Sequence, residues 1–190
     1  MGSRRLGVKR LNALAQQGQG VTSPLQPGVS GSVGHRKIMK SGNEITTEIY
    51  VDFGSSAGAL VQPGTQDLVI GNGLTGENAY LTQVTTAENG VVTLLEMTCV
   101  ETPTGGDTDI DLSYSANEVG YSGSSGITQL INGGAQVIGA EGADLLDNND
   151  LADKYLYLTT AAATDGALGT TYTGGKFLIR LYGHAVPDDL

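Results

Sequence analysis

The sequence predicts a mostly β protein, an antiparallel β-sandwich of the jelly-roll kind that carries an extended basic N-terminal arm. Three features of the sequence indicate this fold. The 190-residue chain contains 29 glycines and no tryptophan, and only 16% of its residues are charged, which is typical of short strands joined by tight turns. Runs of apolar and β-branched residues recur between clusters of turn residues. The basic residues are also concentrated at one end of the chain.

The separation of charge divides the chain into a cationic N-terminal region and an anionic body. Seven of the ten basic residues precede the first acidic residue, Glu44. They are Arg4, Arg5, Lys9, Arg10, Arg36, Lys37 and Lys40. Residues 41–190 contain three basic and twenty acidic side chains, and their net charge of −17 combines with the +7 of the first forty positions to give the formal −10. We therefore expect the N-terminal region to bind a partner that the body repels.

Residues 1–34 are predicted to form an arm, and residues 35–190 a single β domain. Residues 3–17 are predicted to be a short helix, with Ser3 as the N-cap and Gly18 as the stop. A helix this short is marginal on its own in water, so we expect it to order against a partner. The rest of the arm is rich in Gly, Pro, Ser and Gln and is predicted to be a linker, so removal of the arm is predicted to leave a folded body. The arm residues expected to contact the partner are Arg4, Arg5, Leu6, Lys9, Arg10, Leu11 and Leu14.

The body is predicted to contain about eight strands, bounded by turn residues. They fall at residues 45–53, 67–70, 79–85, 91–100, 109–114, 136–138, 154–160 and 176–182. Asn89 and Gly90 predict a tight hairpin, because both favour the positive φ angles of a type I′ turn. Residues 141–153 are predicted to hold one short helix. So many strands with so little helix favour a jelly-roll sandwich, with a small barrel as the alternative.

Cys99 is the only cysteine, and it lies in the apolar run 91–100. A single cysteine excludes an internal disulfide and a cysteine-based zinc cluster, and its apolar surroundings predict a buried structural thiol. No apolar stretch reaches the ~20 residues that span a bilayer, and the N-terminus lacks the apolar segment of a signal peptide. We expect a protein made in the cytoplasm that has no membrane partner.

Two glycine-rich motifs resemble functional sequences. Residues 71–76 match the spacing of a dinucleotide-binding turn, but a strand is predicted to follow them where that site requires a helix. A Gly-x-Ser-x-Gly sequence surrounds Ser56 and matches the nucleophile elbow of a hydrolase, with Asp147 or Asp165 and His184 as its partners. The elbow belongs to a parallel sheet with alternating helices, which the sequence does not predict. We therefore expect a protein that is not an enzyme.

Asp107, Asp109 and Asp111 place three carboxylates at alternate positions. In a strand they would share one face while Ile110 and Leu112 shared the other, as in an ordinary amphipathic strand with a solvated acidic face. Closely spaced carboxylates repel one another unless solvent or a cation lies between them. A surface divalent ion such as Ca²⁺, held by these three aspartates, is therefore the one cofactor that the sequence suggests.

The basic N-terminal region would be attracted to phosphates, but other features oppose a nucleic-acid partner. The first forty residues contain no Phe, Tyr or Trp side chain on which a base could stack. The anionic body would also repel a polyanion. We therefore expect the arm to bind protein.

Three segments resemble a group of proteins from marine tailed bacteriophages, cyanophages among them. They are residues 1–11 (MGSRRLGVKRL), 100–112 (VETPTGGDTDIDL) and 172–183 (YTGGKFLIRLYG). The segments lie at both ends and in the middle of the chain, so the resemblance covers most of it in order. It implies a structural component of the virion that is synthesised in the host cytoplasm.

The small size and the β-rich body favour one kind of virion component among those that the resemblance implies. We expect a capsid decoration or cement protein on the outer surface of the head, forming a homo-oligomer with a trimer favoured. Its arm would bind the major capsid protein or another virion protein. The alternative is a tail- or fibre-associated adaptor. A receptor- or glycan-binding module is the third choice, for which eight tyrosines, including Tyr114, Tyr121 and Tyr172, supply few exposed rings.

Overall fold

The computed structural model describes residues 21–25, 28–29, 34–54, 59–74, 76–147, 150–161 and 169–186. These residues contain ten strands and one short helix, α1 (Thr86–Asn89). The strands are β1 (Val21–Pro24), β2 (His35–Ser41), β3 (Glu44–Asp52), β4 (Thr82–Gln83), β5 (Val91–Thr104), β6 (Ile110–Ser115), β7 (Thr128–Ile131), β8 (Glu141–Leu145), β9 (Tyr155–Thr160) and β10 (Gly174–His184).

The strands form two antiparallel sheets. The six-stranded sheet has the order β1-β2-β3-β10-β5-β8, and the four-stranded sheet has the order β4-β9-β6-β7. Every pair of neighbouring strands runs antiparallel. The predicted mostly β class with antiparallel strands is therefore confirmed.

One face of the six-stranded sheet contributes to the hydrophobic core. In β3, Ile45, Thr47, Ile49 and Val51 are buried while the residues between them are more exposed, because successive side chains of a strand point to opposite faces. Cys99 of β5 is also buried, as predicted. A single buried cluster takes side chains from both sheets, among them Ile49, Met97, Ile110, Leu112, Leu158 and Ile179.

The four-stranded sheet is buried on both of its faces at its centre. Leu112 of β6 and Leu158 of β9 join the core, and the adjacent residues Ser113 and Tyr157, which point the other way, are buried as well. The Tyr157 hydroxyl accepts a hydrogen bond from the backbone of Val119, in the loop after β6. Loops therefore cover part of the outer face of this sheet.

β1 and β2 form a hairpin that extends the six-stranded sheet. After β1, Leu25 and Val29 are buried in the core, and the backbone N–H of Gly28 donates to the carbonyl of Asn78 at 3.1 Å. These residues lie in the stretch that the sequence assigned to a linker, yet they pack as part of the body. A truncation at residue 34 would therefore remove a paired strand and two core side chains.

The hairpin also contains three of the seven basic residues assigned to the cationic region. Arg36, Lys37 and Lys40 lie in β2. The Arg36 guanidinium is held within the body, with Nη1 2.9 Å from Glu88 Oε2 and 2.7 Å from Thr82 Oγ1. The basic residues that precede β1 are the other four, Arg4, Arg5, Lys9 and Arg10.

Two local predictions are wrong. The segment predicted to hold a short helix begins instead with β8, which pairs with β5. Asn89 and Gly90 end α1 and do not form a type I′ hairpin. Gly90 has a φ of 67° and donates its N–H to Thr86, which suits glycine at the end of a helix. The Asn89 side chain donates to Thr47 Oγ1 at 2.8 Å, so it is buried against β3.

Three predicted strands are shorter than expected or absent. Residues 67–70 contribute an isolated bridge at Val69, and next to residues 136–138 a bridge forms at Ala135. The strand predicted at 79–85 is reduced to β4, and β7 lies where no strand was predicted. The predicted arm helix falls outside the described residues. In the part of the chain that the structure describes, no helix is long and apolar enough to cross a membrane.

Candidate functional site

The three aspartates proposed as metal ligands do not share the face of one strand. Asp107 and Asp109 precede β6, and only Asp111 lies within it. Asp107 is fully buried. Its Oδ1 accepts a hydrogen bond from the Asp109 N–H at 3.0 Å, and its own N–H donates to Gln62 Oε1 at 2.6 Å. Asp107 therefore organises a buried turn, and the prediction of a solvated acidic face is wrong.

The described residues contain no group of three or more His, Cys, Asp or Glu side chains arranged to hold a metal ion. Asp111 is turned toward different partners from those of Asp107. Its Oδ1 accepts from the Gly133 N–H at 2.8 Å, and its Oδ2 accepts from the Gln129 side-chain amide. The structure thus places Asp111 in another environment, a pocket on the outer face of the four-stranded sheet.

The floor of this polar pocket is formed by β6 and β9. Asp111 and Ser113 alternate with Ile110 and Leu112, so their side chains leave the core and point outward. Thr159 of β9 lies directly opposite Asp111 in the strand register. The hydroxyls of Ser113 and Thr159 are 2.8 Å apart and share a hydrogen bond.

The walls of the polar pocket come from residues far apart in the sequence. Gln129 of β7 and the loop residues Asp67, Ser124 and Ile127 line the sides of an open pocket of about 240 Å³. Gln129 is positioned by strand pairing, opposite Ser113. Asp67 has a φ of 56° and is fixed by its N–H, which donates to the carbonyl of Thr160 at 2.9 Å. The pocket therefore has a buried floor and a more exposed rim.

The electrostatics of the polar pocket are dominated by its carboxylates. Burial raises the pKa of Asp111, and the negative charge of Asp67 raises that pKa further. The hydrogen bonds from Gly133 and Gln129 act in the opposite direction, because they stabilise the ionised carboxylate. Burial is the largest of these effects. The protein thus holds Asp111 where its negative charge is costly.

A second cleft, of about 520 Å³, lies between the β1–β2 hairpin and β4. Its central side chain is Arg36, whose Nε donates to Ser23 Oγ at 3.3 Å. The same guanidinium contacts Thr82 and Glu88. Because the donors of Arg36 are directed at these three residues, the cleft has a structural role in fastening the hairpin to the body.

The sequence motifs that suggested catalysis are not assembled by the described residues. Ser56 and Asp165 lie outside them, and Asp147 is exposed after β8. His184 lies at the end of β10, opposite Glu44 in the strand register. The glycine-rich turn at residues 71–76 is followed by residues without helix up to β4, so it lacks the helix N-terminus that holds a pyrophosphate.

The arm residues proposed as the partner contact, Arg4 to Leu14, also lie outside the described residues. Sequence reasoning identified Asp111 but missed the other members of the polar pocket. The alternation of Asp111, Ser113 and Ser115 with apolar residues is the signal that could have indicated a polar outer face. No family model, no curated protein and no solved structure matches this chain.

Proposed function

We propose that the protein is a non-enzymatic virion structural protein, a capsid decoration or cement protein of a tailed phage head. The order of the strands is the observation that carries this proposal. From β3 onward the strands pair from the outside inward: β3 with β10, β4 with β9, β5 with β8, and β6 with β7. Two four-stranded layers, β3-β10-β5-β8 and β4-β9-β6-β7, result from this nesting.

Nested pairing of eight strands in two layers supports the proposal of a jelly-roll sandwich. The single buried cluster that takes side chains from both sheets supports packing of the layers face to face. Jelly rolls serve as the building blocks of many viral capsid proteins, and they also occur in lectins. A fold does not determine a function. The choice between a capsid role and a lectin role therefore depends on the surface of the protein.

The surface favours assembly with other copies or other proteins. Residues 138–140 run beside β5, with the Gly139 N–H donating to the carbonyl of Cys99 at 2.8 Å. Val137 and Ile138, which precede Gly139, are exposed, and Val100, which follows Cys99 in β5, is exposed as well. The apolar group lies beside β8, which forms an edge of the six-stranded sheet. Apolar residues at an open sheet edge suit a contact with a neighbouring subunit, so we propose a homo-oligomer, with a trimer favoured.

The arm supplies the proposed attachment to the head. Arg4, Arg5, Lys9 and Arg10 precede the first strand, while residues 41–190 have a net charge of −17. A basic segment joined to an acidic body suits an acidic surface on the major capsid protein or another virion protein. The body would then face solvent on the outer surface of the head.

A binding experiment with phage heads that lack the protein tests this proposal. The full-length chain is mixed with such heads, the particles are pelleted, and bound copies are counted. The variant in which Arg4, Arg5, Lys9 and Arg10 are changed to alanine should lose binding. A matched variant with Asn12, Gln16, Gln17 and Gln19 changed to alanine keeps the arm's charge and should bind like the original chain.

The number of bound copies decides the location. High occupancy that follows the symmetry of the shell would support a decoration protein. Occupancy at only a few sites per particle would move the protein to the tail or fibres, which is the alternative function. Absence of binding by the original chain would overturn the virion proposal.

A further inference from the structure

Among the described residues, the carboxylates of the polar pocket over the four-stranded sheet have no basic partner. Two carboxylates, Asp67 and Asp111, are among its lining residues, and no Lys, Arg or His is among the described residues that line it. Asp111 has only 2% of its surface exposed. A buried carboxylate is normally paired with a cation or fully hydrogen-bonded. Within the described part of the chain, the floor of this pocket thus has no positively charged partner.

The polar atoms of the floor are fixed in place and retain capacity to bind. Each oxygen of Asp111 accepts one hydrogen bond, from Gly133 or from Gln129, and a carboxylate oxygen can accept a second. The hydroxyls of Ser113 and Thr159 bond to each other, and this pairing leaves acceptor lone pairs on both hydroxyl oxygens. A group that enters the pocket therefore meets side-chain acceptors that project from two paired strands.

The size and chemistry of the pocket indicate the kind of group that fits. The pocket has a volume of about 240 Å³, which is larger than a single bare metal ion needs, since a water molecule occupies ~30 Å³. The carboxylates disfavour an anion. No aromatic ring is among the described lining residues, so a sugar would lack the apolar platform that usually supports it. A planar or tetrahedral cation with several N–H donors satisfies both the charge and the acceptors.

We propose that this pocket binds a guanidinium or ammonium group, with Asp111 at the floor and Asp67 at the rim as its carboxylate partners. Ser113 and Thr159 would supply further acceptors at the floor. The group could come from a free small cation or from an Arg or Lys side chain of a protein segment. The chain itself offers such a segment, with Arg4, Arg5, Lys9 and Arg10. This inference does not rest on the virion proposal, because the pocket itself lies in the described body.

A titration of the full-length chain tests the proposal. The probe is methylguanidinium at low ionic strength, followed by the backbone NMR signals of Ser113, Gln129 and Thr159. Methylurea has a similar shape without the charge, and tetramethylammonium has the charge without N–H donors. Methylguanidinium should shift these signals in a saturable way, and the other two compounds should not.

Variants of the chain test whether Asp67 and Asp111 are the carboxylates that bind the cation. Asp67→Asn and Asp111→Asn should each weaken binding about tenfold or more, because each removes a carboxylate partner. Asp147→Asn changes an exposed carboxylate outside the pocket and should leave the affinity unchanged. Asp67 is on the exposed rim, so its variant remains informative even where Asp111→Asn lowers stability. Unchanged affinity in both pocket variants would overturn the proposal, as would equal binding of methylurea.

Two further measurements distinguish a free cation from a basic side chain of the protein as the bound group. A peptide of residues 1–17 that binds more tightly than methylguanidinium would support the basic arm of another copy as the ligand. Preference for methylguanidinium would support a free cation. The chain with Arg4, Arg5, Lys9 and Arg10 changed to alanine is titrated as well, since an arm already seated in the pocket would block the probe. Failure of both chains to bind methylguanidinium would overturn the inference, whatever the phage-head experiment shows.

Discussion

The hydroxyl of Tyr157 accepts a hydrogen bond from the backbone N–H of Val119, with 2.8 Å between oxygen and nitrogen. The same hydroxyl donates to the carbonyl oxygen of Asn117 at 2.9 Å. Tyr157 is fully buried, and burial raises the pKa of its hydroxyl to about 12. One side chain of β9 thus satisfies two backbone groups of the loop after β6 and fixes that loop over the sheet.

Changing Tyr157 to phenylalanine should lower the free energy of unfolding by about 1–3 kcal/mol, because the N–H of Val119 loses its acceptor in a buried place. Urea denaturation measures the effect. Tyr155→Phe is the matched control, since the Tyr155 ring packs on Tyr80 and its hydroxyl has no hydrogen-bond partner among the described residues. Equal losses in the two variants would contradict this role of the hydroxyl.

Gly28→Ala should destabilise the protein by about 1–3 kcal/mol through overpacking. A Cβ at Gly28 would lie 2.2 Å from the carbonyl oxygen of Asn78 and 2.8 Å from the Cα of Ala79, and backbone atoms cannot move aside cheaply. Gly64→Ala serves as the control, because a Cβ there would have nothing within 4 Å. Thermal unfolding should show a lower melting temperature for Gly28→Ala only. Similar melting temperatures would mean that residues 28–29 are not packed on the body.

Arg36→Ala should loosen the β1–β2 hairpin while leaving the rest of the fold in place. Arg36 joins β2 to Ser23 of β1, Thr82 of β4 and Glu88 of α1. We expect the free energy of unfolding to fall by about 1 kcal/mol, since the ion pair is partly solvated. The substitution should speed amide hydrogen exchange in the β1–β2 hairpin more than in β10. Lys37→Ala in the same strand is the control, as Lys37 has no ion pair within the described part of the chain. Unaltered exchange in Arg36→Ala would refute the fastening role.

Asp111→Asn should change how stability depends on pH. Burial, with Asp67 as the neighbouring charge, raises the pKa of Asp111 in the folded protein above its ordinary value of 3.8. The folded state then holds the proton more strongly than the unfolded state. The contribution of Asp111 to stability is therefore present below the ordinary pKa and is lost as the pH rises through the folded pKa.

The variant lacks this titration, so its stability relative to the original chain should increase as the pH is raised from about 4 and should level off above the folded pKa. Urea unfolding across that pH range measures the difference. Asp147→Asn, at an exposed position, controls for the loss of one negative charge. A difference that is constant with pH would contradict the prediction.

The strands that could be predicted are those in which apolar and polar residues alternate along the strand itself. β3, β5 and β10 are long, and in β3 a buried residue occurs at every second position, which a reader of the sequence can recognise. β8 could not be recognised in this way. Its residues, Glu-Gly-Ala-Asp-Leu, have low β propensity, and none of them is fully buried. Pairing with β5 forms this strand, and that contact is non-local.

The same distinction applies to the N-terminal hairpin and the polar pocket. The glycines and prolines around β1 resemble a linker, but Gly28 is needed for a close approach of two backbones. In the pocket, Asp111 was singled out because three aspartates occur at alternate positions of the sequence. Its actual neighbours, Asp67, Gln129 and Thr159, come from three other segments. Only the folded topology brings such residues together.

The position of β10 has a consequence for how the protein folds. β10 is the last strand of the described chain, yet it lies between β3 and β5. The stretch of chain between the two strands of a nested pair therefore differs greatly in length. It is shortest between β6 and β7 and longest between β3 and β10. Since closing a long loop costs more entropy than closing a short one, we expect folding to start at the β6–β7 pair and to proceed outward. During synthesis on a ribosome, β3 could not pair with β10 until residues 174–184 had been made.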